Sequence, residues 1–286
     1  MSIGDYEPES YWDERFRKYG HTGWSDNLIY AYDQSLRLKA VSKALDKASI
    51  TLNGNTRILD VGCGIGDFVL EFAQRGVAEV VGIDISREVI EFAKKRFSNL
   101  RNVKLIHGKI EELELERDYF DLVVSITVLQ HITDEDAFLR AIDNIIEVTK
   151  SKGAILILEA SPIAKKSLRC SSYQTIRTRE EWVNIFKERG CRPLYEAGIP
   201  QIGIRFLPHC SKALNLVKTG TQILNLKFAK SCKSYNSQKQ HLISKIFKAF
   251  FEKYRDIMVS VDLLFFPFPS NFTNIRIIIF EKALSL

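Results

Sequence analysis

The fold is indicated by one segment, Ile58-Leu59-Asp60-Val61-Gly62-Cys63-Gly64-Ile65-Gly66-Asp67. In it an apolar run leads through a glycine-rich turn into residues with helical spacing. Glycines allow tight backbone angles and let a ligand approach the main chain without a Cβ in the way. Asp84 ends the next apolar run, 18 residues beyond Gly66, where a carboxylate can accept both hydroxyls of a ribose. The pattern predicts a strand, a nucleotide cradle and a helix in succession.

Residues 56–158 alternate short β-branched runs with helix-period stretches, which is the pattern of βαβ units on a parallel sheet. A further strand signal, the strongest in the chain, covers residues 274–280. Thr133 and Asp134 are suited to cap a helix, and Gly153 is predicted to form the C-terminal turn of that helix. The fold class is therefore α/β, with a doubly wound sheet. The runs predicted as its first five strands are 57–61, 79–83, 103–106, 120–124 and 154–158.

The glycine spacing narrows the choice of ligand. It reads Gly62-x-Gly64-x-Gly66, and Asp67 stands where the dinucleotide fingerprint needs its third glycine. Asp60, two positions before the first glycine, could hold a cationic ligand tail indirectly. These details favour a cofactor with an adenosine but no pyrophosphate, and they count against a nicotinamide oxidoreductase.

Four ordered motifs, at 60–66, 82–86, 107–111 and 120–132, together resemble the class I S-adenosylmethionine-dependent methyltransferases. The resemblance implies S-adenosyl-L-methionine as the cofactor and a seven-stranded, mostly parallel, Rossmann-like sheet whose last strand is antiparallel. With the aromatic N-terminal arm, the chain is most similar to the small-molecule and sugar enzymes of this superfamily. The predicted parts are an arm and helical cap (1–55), a cofactor-binding core (56–208), a basic helical insertion (209–270) and the final strand (271–286).

The resemblance also implies which residues hold the cofactor. Asp84 would bind the ribose, while Ile85 and Ile110 would flank the adenine. Family members commonly have Asp where this chain has Lys109, so Glu111 or a backbone carbonyl would make the contact to the adenine amine instead. The full set is Asp60, Gly62, Cys63, Gly64, Gly66, Asp84, Ile85, Lys109, Ile110 and Ser125, with Trp12 and Arg37 from the arm. Further arm residues expected near the pocket are Arg15, Tyr19, Trp24 and Tyr32.

The catalytic residues are harder to predict. When a methyl group leaves a sulfonium, the leaving thioether is neutral and needs no acid, while a base typically adds about 10²–10⁴-fold. His131 is the first candidate for that base, because it follows the fourth strand at the ligand-binding edge and imidazole titrates near neutrality. The alternative is that His131 only stabilises the loop after the fourth strand. Glu159, just after the fifth strand, is the second candidate, and His21 and His209 are weaker ones.

The acceptor is narrowed mainly by what the sequence lacks. Base-amine methyltransferases carry a turn with two prolines and an aromatic residue after the fourth strand, and Ser125-Ile126-Thr127-Val128 has neither proline. We therefore expect O-methylation of a small metabolite, a sugar or a lipid-linked precursor, and we regard nucleic acid as an unlikely partner. The alternatives are an RNA or protein methyltransferase that uses the basic insertion, and a non-catalytic binding protein that keeps the fold.

The formal charge of +6 is unevenly placed, because residues 210–256 carry ten basic and two acidic residues. Residues 239–261 repeat apolar side chains at helical spacing, which predicts an amphipathic helix. This helix could be an acceptor lid, a homodimer interface or a contact to an anionic membrane surface. No apolar run reaches membrane-spanning length, and the five cysteines lack metal-site spacing. We expect a cytoplasmic protein without a metal, either free or peripheral at the inner membrane face.

Overall fold

The computed structural model describes residues 6–163, 168–200, 253, 255–263 and 274–284. The chain divides into two compact units. The larger, which we call the sheet unit, comprises Met1–Gly23, Leu38–Ile199 and Phe266–Leu286, and the smaller comprises Trp24–Arg37 and Pro200–Phe265. His209, residues 239–252 and the predicted domain boundaries near 208 and 270 lie outside the described residues.

The described strands form one large sheet and one hairpin. In chain order they are β1 Arg57–Val61, β2 Glu79–Asp84, β3 Val103–His107, β4 Phe120–Ile126, β5 Thr149–Ala160, β6 Leu168–Ser171, β7 Gln174–Ile176, β8 Cys191–Gly198 and β9 Ile275–Lys282. Seven of them build a sheet in the order β3-β2-β1-β4-β5-β9-β8, while β6 and β7 pair only with each other. Strands β1 to β5 are parallel, and β9 runs antiparallel to both β5 and β8. The predicted doubly wound, mostly parallel sheet with an antiparallel last strand is confirmed.

The chain also forms helices. Those with assigned bounds are α1 Pro8–Tyr19, α2 Asn27–Lys47, α3 Asp67–Gln74, α4 Arg87–Arg96, α5 Glu135–Val148 and α6 Arg179–Lys187, with a 3₁₀ turn at Leu129–His131. Residues 255–263 are also helical. The N-terminal aromatic segment is thus largely helical. No helix among the described residues is long and apolar enough to cross a membrane.

Helix α5 shows how the sequence sets an element and where its prediction failed. The carboxylate of Asp134 accepts from the Ala137 N–H at 2.8 Å, as a predicted N-cap should. The predicted C-terminal turn at Gly153 is wrong, because α5 ends at Val148 and Gly153 lies within β5. The β5 register jumps at this point, and a Cβ on Gly153 would lie 2.8 Å from the Lys150 carbonyl oxygen. The glycine therefore serves a close backbone approach inside an irregular strand.

The core lies on both faces of the parallel strands, which explains their nearly continuous apolar runs. Four of the five residues of β1 are buried, and five of the six residues of β2. Because the strands are parallel, their carboxyl ends meet at one edge of the sheet. That edge carries Asp84 at the end of β2, Ser125 near the end of β4 and Glu159 near the end of β5, and open α/β sheets bind their ligands there.

Candidate functional site

The glycine turn after β1 adopts a backbone that side chains disfavour. Gly62, Gly64 and Gly66 have φ of +69°, +54° and +84°, in the left-handed region. A Cβ on Gly62 would lie 2.2 Å from a methyl carbon of Val128, which follows β4. Gly62 therefore allows the turn after β1 and the turn after β4 to pack directly together.

Asp84 is joined to the glycine turn by hydrogen bonds. Its Oδ2 accepts from the Gly64 N–H at 2.8 Å, and its Oδ1 accepts from the Ser86 N–H at 2.9 Å. Burial raises the pKa of Asp84, although these two hydrogen bonds to the charged form act in the opposite direction. The structure thus brings together the predicted acidic residue and the predicted glycine turn.

Asp60 and Ser125 place buried polar atoms beside this turn. Among the described residues, neither Oδ2 of Asp60 nor Oγ of Ser125 has a hydrogen-bond partner, and both residues are at most 2% exposed. Burial raises the pKa of Asp60 well above its usual range, and the nearby Asp84 and Asp67 carboxylates add to the effect. Buried polar atoms without partners are costly and uncommon, so these two atoms indicate a place for a ligand.

The residues predicted to surround the adenine differ in their burial and in their contacts. The Ile85 carbonyl oxygen lies 3.0 Å from His107 Nε2. Ile110 is 3% exposed and belongs to the main apolar core. Lys109 pairs with Glu112 at 2.8 Å. The Cys63 thiol is free and buried, and burial raises its pKa well above the usual range, so it remains protonated.

The predicted arm residues are divided between the two compact units. In the sheet unit, Trp12 on α1 lies edge-on to His131, with 4.9 Å between ring centroids. In the smaller unit, Arg37 forms an ion pair with Asp33 at 2.7 Å, and the indole N–H of Trp24 donates to the same carboxylate at 2.8 Å. The predicted contact of Arg37 with a cofactor carboxylate therefore stays a prediction.

His131 sits at the end of the 3₁₀ turn and is partly exposed. Its Nδ1 lies 2.8 Å from the Tyr173 carbonyl oxygen, so Nδ1 carries the proton and Nε2 the lone pair. Burial lowers the pKa of His131 to about 4, the Tyr173 carbonyl raises it in part, and the Arg15 guanidinium lowers it further. The imidazole is therefore neutral at physiological pH.

Glu159 holds the turn that carries His131. Its Oε1 accepts from the backbone N–H groups of Val128 and Leu129, both at 2.9 Å, and the residue is fully buried. Thr127, just before, has φ +56°, a left-handed conformation that a β-branched residue rarely adopts. Such strain persists only where surrounding contacts fix it. These contacts are those of a positioning group.

Several site residues were not predicted from the sequence. Tyr173 is the main one, because it lies in the β6–β7 hairpin, whose strands have only four and three residues and gave no clear pattern. Its ring faces His131 at 6.0 Å between centroids. Asp13 is another: it accepts from the Ser86 hydroxyl and from the Glu88 N–H. For Asp13, the only sequence feature that could have indicated a role in the site was its position next to Trp12.

Comparison with known proteins finds a methyltransferase domain in the central part of the chain. A family profile described as a methyltransferase domain matches residues 52–190. Over 108 residues the chain is 35% identical to demethylmenaquinone methyltransferase of Staphylococcus aureus. The aligned region covers 37% of this chain and 44% of that enzyme. The chain thus spans less than half the length of the curated relatives it matches.

Solved structures show the same fold. A putative sarcosine dimethylglycine methyltransferase from Galdieria sulphuraria aligns with a TM-score of 0.55 and 15% identity, covering 87% of this chain and 85% of that one. The cyclase SpnF aligns with a TM-score of 0.53 and 17% identity, covering 86% and 83%. Because a cyclase shares the fold, the fold alone does not fix the reaction. Residues 52–190 thus match a methyltransferase domain, and the motifs and the seven-stranded sheet agree with the predicted resemblance to the class I S-adenosylmethionine-dependent methyltransferases.

Proposed function

We propose that this protein transfers the methyl group of S-adenosyl-L-methionine to an oxygen atom of a small acceptor molecule. The observation that carries the proposal is the cradle formed by Asp84 and Gly64, with the unpartnered Asp60 and Ser125 atoms beside it. Small acceptors are supported by the relative that acts on demethylmenaquinone. We also propose that the protein is cytoplasmic. Residues 239–261 would form a peripheral membrane contact or a homodimer interface.

The residues of the cradle fit the cofactor. A carboxylate has about four positions for accepting hydrogen bonds, and the Gly64 and Ser86 N–H groups use two of those on Asp84, which leaves capacity for ribose hydroxyls. Asp60 and Ser125 supply polar atoms for the methionine part, and a positively charged ligand beside Asp60 would favour the ionised form of its carboxyl group. Because Lys109 already pairs with Glu112, we assign the adenine amine to Glu111 or a backbone carbonyl.

The bound cofactor would supply a methyl group on a positively charged sulfur. The protein then has to align the acceptor oxygen with that methyl group, and alignment of reacting groups can be worth about 7–11 kcal/mol. His131 Nε2 can accept the acceptor's proton, although a group with a pKa of about 4 is a weak base. We assign Glu159 to positioning the His131 turn, because its carboxylate accepts from two backbone N–H groups there.

Calorimetric titration tests this proposal directly. S-adenosylmethionine and S-adenosylhomocysteine are titrated into the wild type, Asp84→Ala and Asp67→Ala, with NAD as the control ligand. Asp67 is the matched control, because it lies beside the same turn but pairs with Arg96 at 2.9 Å. We expect binding of both sulfur nucleotides to weaken by roughly tenfold or more in Asp84→Ala, which is about 1.4 kcal/mol, and to change little in Asp67→Ala. Failure of the wild type to bind either nucleotide would contradict the proposal.

The rival functions are separated by acceptor screening with the same protein. A methyltransferase acting on RNA or protein would release S-adenosylhomocysteine only when a macromolecule is supplied. A non-catalytic binding protein would bind the cofactor and release none with any acceptor class. Release with small hydroxylated compounds supports the function proposed here.

A further inference from the structure

Beside His131 the sheet unit presents a group of aromatic rings, Tyr11, Trp12, His131 and Tyr173, which we call the aromatic face. Tyr11 and Tyr173 are stacked with 5.1 Å between centroids and 22° between planes. Trp12 and His131 meet edge-on at 4.9 Å, and His131 faces Tyr173 at 17°. Three elements distant in the sequence, α1, the 3₁₀ turn and the β6–β7 hairpin, bring these rings together.

The aromatic face differs from ordinary core. All four rings are partly exposed, and α1 has no buried residue although it carries Tyr11, Trp12, Phe16 and Tyr19. Partly exposed aromatic rings gathered in one place commonly mark a ligand site. The face also adjoins the cofactor cradle, because the turn that carries His131 packs through Val128 against Gly62.

One cation lies over these rings. The Arg15 guanidinium carbon is 5.9 Å from the Tyr11 ring centroid and 6.0 Å from that of Trp12. Its Nε and Nη2 groups donate to the carbonyl oxygens of Thr22 and Gly23, which fixes its position. The site therefore combines flat apolar surfaces with a fixed positive charge.

We propose that the aromatic face binds the methyl acceptor, and that this acceptor is a planar aromatic ring bearing an ionisable hydroxyl group. The inference rests on the proposed function and names its substrate class. A planar ring that packs on aromatic side chains gains binding energy from each ring pair beyond the energy of its buried area. A nearby cation favours the ionised form of a hydroxyl group. A saturated alcohol or a sugar would gain much less from either feature.

The chemistry of the transfer favours the same acceptor. An aromatic hydroxyl has a pKa near 10, so the positive field of Arg15 can promote its ionisation, and the proton passes to water or to His131 Nε2. The acceptor oxygen then forms a bond to the methyl carbon while the carbon–sulfur bond breaks. The electron pair of that bond stays on sulfur, which leaves as a neutral thioether. Because burial lowers the pKa of His131 to about 4, its imidazole is too weak a base to ionise a sugar hydroxyl efficiently.

The test compares a planar probe with its saturated counterpart. Calorimetry in the presence of saturating S-adenosylhomocysteine measures binding of 2-naphthol and of decahydro-2-naphthol to the wild type, Tyr173→Leu and Phe16→Leu. Tyr173→Leu removes a ring of the aromatic face but keeps the backbone carbonyl that His131 contacts. Phe16→Leu is the matched control, because Phe16 is on α1 but packs on Phe92, outside the face.

We expect 2-naphthol to bind at least tenfold more tightly than the saturated alcohol, and that preference to fall at least fivefold in Tyr173→Leu while Phe16→Leu keeps it. Mass spectrometry with S-adenosylmethionine should detect 2-methoxynaphthalene from the wild type. Equal binding of the two probes, or an unchanged preference in Tyr173→Leu, would overturn this inference while normal cofactor binding leaves the proposed function standing. Absence of cofactor binding would instead refute the proposed function.

Discussion

Glu159 accepts hydrogen bonds from the backbone of the turn that carries His131. The amide oxygen of Gln can accept the same two N–H bonds, whereas Ala leaves both buried donors unpaired, at about 1–3 kcal/mol each. We therefore expect Glu159→Ala to lower kcat by roughly tenfold or more and to reduce the free energy of unfolding by about 2–6 kcal/mol. Glu159→Gln should retain most of the wild-type kcat and most of the free energy of unfolding.

The measurement is a pH profile of kcat together with urea unfolding of both variants. If Glu159 acted as the base, Glu159→Gln would be as inactive as Glu159→Ala, and the acidic limb of the profile would disappear in both. That result would return Glu159 to the catalytic role first expected from its place after the fifth strand.

Gly62 permits a second comparison at the residue scale. Ala at a left-handed position costs about 1–2 kcal/mol, and at Gly62 the new Cβ would also strike Val128. Gly76 has a similar φ of +74°, but a Cβ added there would have no atom within 4 Å, so Gly76→Ala isolates the backbone cost. We expect Gly62→Ala to be clearly less stable in urea than Gly76→Ala and to lose most of its S-adenosylhomocysteine binding. Equal losses in the two variants would show that the contact with Val128 is unimportant.

The predictable part of the site is the part encoded by local patterns. Asp84 and the glycines follow strands that the sequence marks clearly, so their meeting at one sheet edge could be expected. Tyr173 could not, because its contact with His131 joins residues 42 positions apart through a short hairpin. The bonds between Glu159 and the Val128–Leu129 backbone depend on rotamers, which spacing does not determine. The predicted cofactor roles of Ser125 and Arg37 remain predictions.

At the scale of elements, strands were predicted well wherever β-branched runs were short and bounded by polar residues. Strand β5 is longer than predicted, because residues 149–153 add an irregular segment with polar residues before the apolar run. Helix α1 was recognised only as an aromatic arm. Its sequence mixes charged and aromatic residues without a buried stripe, so its helix depends on capping and on docking to α4.

The docking of α1 gives a prediction about cofactor access. Asp13 accepts from the Ser86 hydroxyl and the Glu88 N–H, next to the end of β2. Loss of these bonds in Asp13→Ala should loosen α1, increase its cleavage by chymotrypsin and weaken S-adenosylhomocysteine binding severalfold. Arg17→Ala is the control, because the Arg17–Glu88 ion pair is largely exposed, and such pairs contribute about 0–1 kcal/mol. Unchanged proteolysis and binding in Asp13→Ala would mean that α1 does not cover the cofactor.

For the molecule as a whole, buried ionisable groups make stability depend on pH in opposite directions. The pKa of His131 is lowered to about 4 from 6.5, so its contribution to stability is lost as the pH falls from 6.5 through 4. The pKa of Asp60 is raised by burial, so its contribution is present below its unfolded value of 3.8 and is lost as the pH rises through the raised value. The ligand-free protein is therefore destabilised at neutral pH by an acid that its cofactor site retains.

Because Asp60 destabilises the ligand-free protein and is proposed to contact the cofactor, its replacement should raise the free energy of unfolding and lower the affinity for the cofactor. Without ligand, Asp60→Asn should be more stable than the wild type in urea at pH 7.5, and the gain should shrink as the pH approaches 4. Asp67→Asn, which loses an ion pair with Arg96, should show no such gain. Because the carboxylate favours positive charge, Asp60→Asn should lose more affinity for the sulfonium S-adenosylmethionine than for the neutral thioether S-adenosylhomocysteine. Equal losses for the two ligands, or lower stability at pH 7.5, would show that the buried charge of Asp60 is compensated within the fold and does not act on the cofactor.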